Sequence, residues 1–100
     1  MKITELEESD LLSFRFDRDK RQIEFIVLFE GARKVKLLAS DVDSVEFIYL
    51  NLYATLTTHE NAPILGEVES IDTDKSGFLI EGDMVTVRVN TKNWTIEDVL

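Results

Sequence analysis

Leu12, Phe14 and Phe16 alternate with Ser13 and Arg15, so one parity of residues 12–16 is apolar and the other polar. A strand with one buried face has this period of two. The polar run Asp17-Arg18-Asp19-Lys20 supplies a turn. Over 21–29, Ile23, Phe25, Val27 and Phe29 then share one parity while Ile26 and Leu28 lie on the other, which predicts a central strand covered on both sides. Glu30-Gly31-Ala32 reads as a turn into a third strand over 33–39, with Val35 and Leu37 on one face.

Residues 44–52 carry apolar side chains on both parities, Val45, Phe47 and Tyr49 on one and Ile48, Leu50 and Leu52 on the other. A short helix would bury the same set, but the branched and aromatic content favours a strand with two buried faces. The pattern weakens over 53–63, and the polar residues 57–63, closed by Pro63, read as a surface loop. Segments 65–71, 78–81 and 85–89, separated by polar turns at 72–77 and 82–83, predict three antiparallel strands. Two short helical turns complete the picture. Thr4 and Glu7 have capping-box spacing, which predicts a turn over 5–11 lying across one open end. Asn93 or Thr95 is placed to cap another through Ile96-Glu97-Asp98-Val99, with Trp94 folding back as a core plug.

Short connections between neighbouring strands favour a meander in which consecutive strands pair. The fold expected is therefore one mainly β domain over residues 1–100, a single antiparallel meander sheet that is curled or forms a partial barrel, with minor helical turns. Period-two patterns alone suit a barrel, a half-open sheet or a sandwich equally. Composition agrees with the β reading, since Ile, Val and Thr together number 25 of 100 residues. A chain of this length builds one core without staples, and the absence of cysteine removes disulfides, thiolate metal sites and cysteine nucleophiles together.

Charge narrows the partners. Twenty acidic against 11 basic residues give a formal net charge of -9, a surface that repels phosphate backbones and anionic membranes and favours a basic protein partner. Arg15, Arg18, Lys20 and Arg21 are interleaved with Asp17 and Asp19, so no basic patch forms and nucleic-acid binding is not expected. Acidic residues enter the N-terminal segment before any apolar run of signal-peptide length, and the apolar-rich stretch 42–56 is too short and too interrupted to span a bilayer. The expectation is a cytoplasmic protein without membrane association.

The strongest local motif is Asp72-Thr73-Asp74-Lys75-Ser76-Gly77 with Asp83 in the twelfth position, which resembles a calcium loop of the EF-hand type. It departs from that pattern where a final Glu belongs, Lys75 intrudes into the would-be cage, and the 84–89 flank is strand-like. A polar hairpin turn is the expectation, with no metal and no cofactor. His59, the sole imidazole, stands among Thr57, Thr58, Glu60 and Asn61 and reads as an exposed loop residue; hydrolysis using His59 and a nearby carboxylate is the minor enzymatic alternative. Four scattered glycines exclude a phosphate-cradling loop.

Glu67 and Glu69 alternate along one strand, and if both face solvent they form a negative stripe that steers a basic partner. Tyr49, Tyr53 and Trp94 are the aromatic contact candidates where the fold leaves them exposed. In rhythm, Asp10-Leu11-Leu12-Ser13-Phe14, the β pair around 23–29 and 35–38, the late β segments and Trp94 resemble small β-rich bacterial proteins of toxin–immunity systems and, equally, small bacterial domains with no assigned partner. The first resemblance implies a protein that binds and neutralises a cognate toxin, often through an acidic face, and transfers no individual binding residue. The sequence thus reads as a non-enzymatic protein-binding module, in its sharper form an immunity-type inhibitor of a basic effector. A homodimer joined through unpaired sheet edges is the alternative.

Overall fold

The computed structural model describes residues 1–51, 58–59 and 62–99, the side chains of 58–59 and 62–63 excepted. A 3-10 turn, Ile3–Leu6, precedes β1 (Asp10–Asp17), β2 (Gln22–Phe29), β3 (Arg33–Ser40) and β4 (Ser44–Leu50). Two two-residue strands, β5 (Thr58–His59) and β6 (Ala62–Pro63), pair with each other. β7 (Val68–Asp74), β8 (Gly77–Gly82), β9 (Val85–Asn90) and β10 (Asn93–Asp98) complete the chain. The protein is mainly β and antiparallel throughout.

Local chemistry explains the hairpins. Between β1 and β2 the Lys20 N–H donates to the Asp17 carboxylate at 3.1 Å, and between β2 and β3 Glu30 and Gly31 both adopt positive φ, 53° and 73°. Positive φ at both central positions is the type I′ geometry that suits a right-twisted hairpin, and a glycine takes it without steric cost.

The strands divide between two four-stranded sheets, in the orders β1-β2-β3-β10 and β4-β9-β8-β7, rather than forming one sheet. Neither closes into a barrel. They are joined at two corners. At the first, the chain crosses between sheets through 40–44 and 90–93, so the β3/β10 ladder (Ser40 opposite Asn93) continues into the β4/β9 ladder (Ser44 opposite Asn90). The buried Thr91 hydroxyl donates to the Ser40 carbonyl and accepts the Asn93 N–H at 3.2 Å, fixing this corner. At the second, 8–11 runs beside 65–68. Glu8 N–H reaches Val68 O at 2.7 Å, Val68 N–H reaches Ser9 O at 2.8 Å, and Leu11 N–H reaches Gly66 O at 2.8 Å. A period-two pattern cannot reveal these corners, because each strand keeps its alternation while its partners change.

The core lies between the sheets. Ile23, Phe25, Val35 and Leu37 from the first face Ile71, Phe78, Val87 and Val89 from the second. The Phe25 and Phe78 rings meet edge-on with centroids 6.3 Å apart, and Trp94 stacks on Phe78 at 5.4 Å. Such ring pairs add directional attraction to the burial of large apolar area.

Four expectations change. The N-terminal turn ends at Leu6 rather than at Leu11: Glu8 adopts φ 69° and reverses the chain, and the Glu7 carboxylate accepts the Ile71 N–H at 2.9 Å instead of completing a box with Thr4. The turn is held instead by Glu5, whose carboxylate accepts the Lys2 N–H at 3.1 Å. Residues 96–99 form no helical turn, because β3 offers an open edge and a laddered strand outcompetes a single isolated turn. Lys36 and Glu97 pair across that ladder at 3.1 Å. In β1 a bulge between Leu11 and Ser13 shifts the parity, so Leu11, Phe14 and Phe16 share the inward face, with Phe16 exposed at the rim of the sandwich. Finally, β4 is not buried on two faces: it is the terminal strand of its sheet, and every residue from Glu46 to Leu50 is exposed.

Candidate functional site

A bulge between Phe47 and Tyr49 sorts the side chains of β4. Val45, Phe47 and Leu50 stand opposite the buried Val89, Val87 and Val85, and so lie on the inward face. Ser44, Glu46 and Tyr49 oppose Asn90, Arg88 and Thr86 on the outward face. Ile48 is the extra residue of the bulge. Along this strand Phe47, Ile48, Tyr49 and Leu50 are 39%, 58%, 45% and 44% exposed, values normal for polar surface positions and unusual for four consecutive large apolar ones.

The patch extends across the gap between the sheets. The Phe47 ring lies 5.0 Å from that of Phe14 on β1, tilted by 40°, and Phe16, two residues on, is 48% exposed. β4 and the second half of β1 therefore form the two lips of an aromatic mouth on the open side of the sandwich. On β4 itself there is no lysine and no proline, the residues that ordinarily keep an exposed edge from pairing.

Electrostatics give this side one sign. Arg88 stands directly opposite Glu46 but turns the other way, donating to the Asp74 carboxylate at 2.7 Å and to Asn90 at 3.0 Å. That guanidinium, helped by the Ser76 N–H, holds the Asp74 carboxyl down to about 2. Glu46 is left without an ion pair among the described residues. The outward face of the same sheet also carries Asp72 and Glu81, so carboxylates outnumber the one guanidinium there.

The residues expected from sequence are not gathered into one patch. Tyr49 lies on β4 and is exposed. Glu67 and Glu69 are both exposed, but they belong to the opposite edge of the sheet, Glu67 at the second corner and Glu69 in a bulge of β7. With β8 and β9 between, they stand about 14 Å, or three strand spacings, from β4. Trp94 is half-buried against Phe78, as a core plug rather than a free contact residue, and its outer edge lines a groove of about 330 Å³ with Met1, Ile3 and Ile96. Tyr53 and the His59 side chain lie outside the described residues. Sequence reasoning missed Phe16, Glu46, Phe47, Ile48 and Leu50, because an apolar run on both parities signals a buried strand unless its place in the sheet is known.

The calcium-like motif straddles the β7–β8 hairpin: residues 72–74 end β7, Lys75 and Ser76 make the turn, and Gly77 opens β8. The Asp74 carboxylate accepts the Ser76 and Gly77 N–H groups at 2.7 and 3.1 Å, and Asp83 accepts the Glu67 N–H at 2.8 Å. Gly77 is required for close strand approach rather than for a cation cage: at φ 147° a side chain there would run into the Val89 carbonyl. Among the described residues no three His, Asp or Glu side chains converge to hold a metal, and no helix is long and apolar enough to cross a membrane. Compared with models of protein families, with curated proteins and with solved structures, the chain matches none of them.

Proposed function

We propose that this chain is a non-catalytic protein-binding module that receives a basic protein partner on the open β4 side. The observation that carries this reading is the exposed run Phe47-Ile48-Tyr49-Leu50 on a terminal strand, set beside the unpaired carboxylate of Glu46. Apolar area of this kind supplies contact energy, and the surplus of negative charge, -9 over the chain, speeds the encounter with a cationic surface and discourages acidic competitors. A basic effector held at this face would make the chain an immunity-type inhibitor, the role its segment rhythm resembles.

Self-association through the same strand is the rival. It gains the same apolar contact but brings two chains of charge -9 together, so it is opposed at low salt, where a basic partner is favoured. Affinity capture from the source organism's lysate at low and high salt, run in parallel with the wild type and Ile48→Lys, separates these outcomes. The reading expects a stoichiometric basic partner that high salt releases and Ile48→Lys loses. Equal recovery on both chains sinks it, as does sedimentation of the wild type as a dimer that Ile48→Lys dissociates.

A further inference from the structure

The backbone of β4 says more about the partner than its side chains do. The Asn51 N–H donates to the Met84 carbonyl at 2.8 Å, in line with the pairing of Leu50 with Val85 and Tyr49 with Thr86. In an antiparallel ladder successive residues point their N–H and C=O alternately toward and away from the neighbouring strand. The Leu50 amide therefore points away from β9, and no described strand lies beyond β4 in its sheet to receive it. Among the described residues the second sheet thus ends at Leu50 in an unpaired backbone donor, flanked by apolar side chains.

Resting on the reading of β4 as the binding edge, we propose that the partner presents an extended segment of alternating basic and apolar residues, which adds to β4 as a fifth strand of the second sheet. A strand in that position sorts its own side chains by the pleat. Those of inward parity meet the rings of Phe16 and Phe47 in the aromatic mouth. Those of outward parity stand next to Glu46, whose cross-strand neighbour Arg88 is committed to Asp74, and next to the exposed Tyr49 ring, a face that attracts an ammonium or guanidinium group. Charge complementarity selects this occupant over a second copy of the chain, whose own β4 brings a carboxylate and no cation. The cleft of about 610 Å³ lined by Glu5, Glu7, Glu8 and Glu30 is also acidic, but Glu7 is already engaged by the Ile71 N–H and nothing else there points to a ligand.

The test uses a peptide of alternating lysine and valine about as long as β4, titrated into the 15N-labelled chain, with an alternating glutamate and valine peptide as control. Amide shifts are expected to concentrate on 45–50 with the lysine peptide alone, and exchange of the Leu50 amide to slow in the complex. Leu50→Ala removes the side-chain contact and keeps the amide, whereas Leu50→Pro removes the outward N–H as well and is expected to bind about tenfold more weakly than Leu50→Ala. Equal binding by Leu50→Ala and Leu50→Pro, shifts centred away from β4, or unchanged Leu50 exchange in the wild-type complex overturns the proposal. The exchange measurement needs no variant and decides the matter if Leu50→Pro fails to fold. A partner captured by wild type and lost by Ile48→Lys, with Leu50 exchange unchanged in its complex, removes strand addition while leaving the binding reading intact.

Discussion

Glu24-Phe25-Ile26-Val27-Leu28 in β2 and Glu46-Phe47-Ile48-Tyr49-Leu50 in β4 differ at a single position, yet the two pentapeptides live in opposite surroundings. Phe25, Val27 and Leu28 are 0%, 3% and 5% exposed, against 39%, 45% and 44% for Phe47, Tyr49 and Leu50. Both are strands, so local propensity does its part in each. What differs is place: β2 lies between β1 and β3 and faces Phe78, whereas among the described strands β4 has β9 as its one neighbour and a bulge that turns Tyr49 outward. Burial is thus a property of sheet position, and one motif serves as core in the first sheet and as an open edge in the second.

The largest test of this contrast is truncation of its two phenylalanines. Phe25→Ala is expected to cost about 3–5 kcal/mol, because a fully enclosed ring leaves a cavity, while Phe47→Ala is expected to cost about 1 kcal/mol, mainly its contact with Phe14. Urea unfolding measures both, and equal losses would mean that β4 is as enclosed as β2. Next comes the exchange of the one position that differs. Val27→Tyr is expected to destabilise by about 1–3 kcal/mol through overpacking, whereas Tyr49→Val should stay within about 0.5 kcal/mol of wild type. A tolerated tyrosine at position 27 would break the comparison.

A third substitution sharpens it without touching the core. Ile48→Lys is expected to leave the unfolding midpoint within about 0.5 kcal/mol of wild type while abolishing partner capture; a large loss of stability would place Ile48 in the interior instead. The smallest effect concerns Arg88, which stands beside Glu46 but serves Asp74. Since the folded Asp74 carboxyl titrates at about 2, below its usual range, its pairing stabilises the fold fully above about pH 4, and that contribution disappears as the pH falls to about 2. Asp74→Asn removes this part of the acid dependence, and urea midpoints of the two chains measured across this range should converge toward its lower end. A constant offset down to pH 2 would show that the ion pair is not its source.

Most of the strand inventory was legible because the alternation in β2, β3, β8 and β9 is unbroken and each of these strands has one face on the core. The division into two sheets was not, since the corners at 40–44 and 90–93 change partners without changing period. In β1 and β4 a single bulged residue shifts parity midway, which alternation counted from either end misassigns. The C-terminal strand was hidden because its ladder depends on β3, far away in the chain. Of the candidate site, Tyr49 and the acidic character could be read directly, while Glu67 and Glu69 were assigned by a valid local argument to what is the other edge of the sheet. Trp94 packs against the core as expected, but from a strand laddered on β3 rather than from beside a capped helical turn.

The pairing of β10 with β3 sets a timetable for the chain. β1, β2 and β3 are joined by tight turns and can zip together locally, but β3 keeps one side open until the last strand of the sheet has been synthesised and has passed through the corner at Thr91. Contacts between such distant segments form slowly, because a long loop must close before any of them is made. A nascent chain therefore keeps the hydrogen-bonding edge of β3 open until residues 93–98 have been made, and a chain stopped before residue 93 would keep it open, a template for aggregation rather than a shorter folded domain.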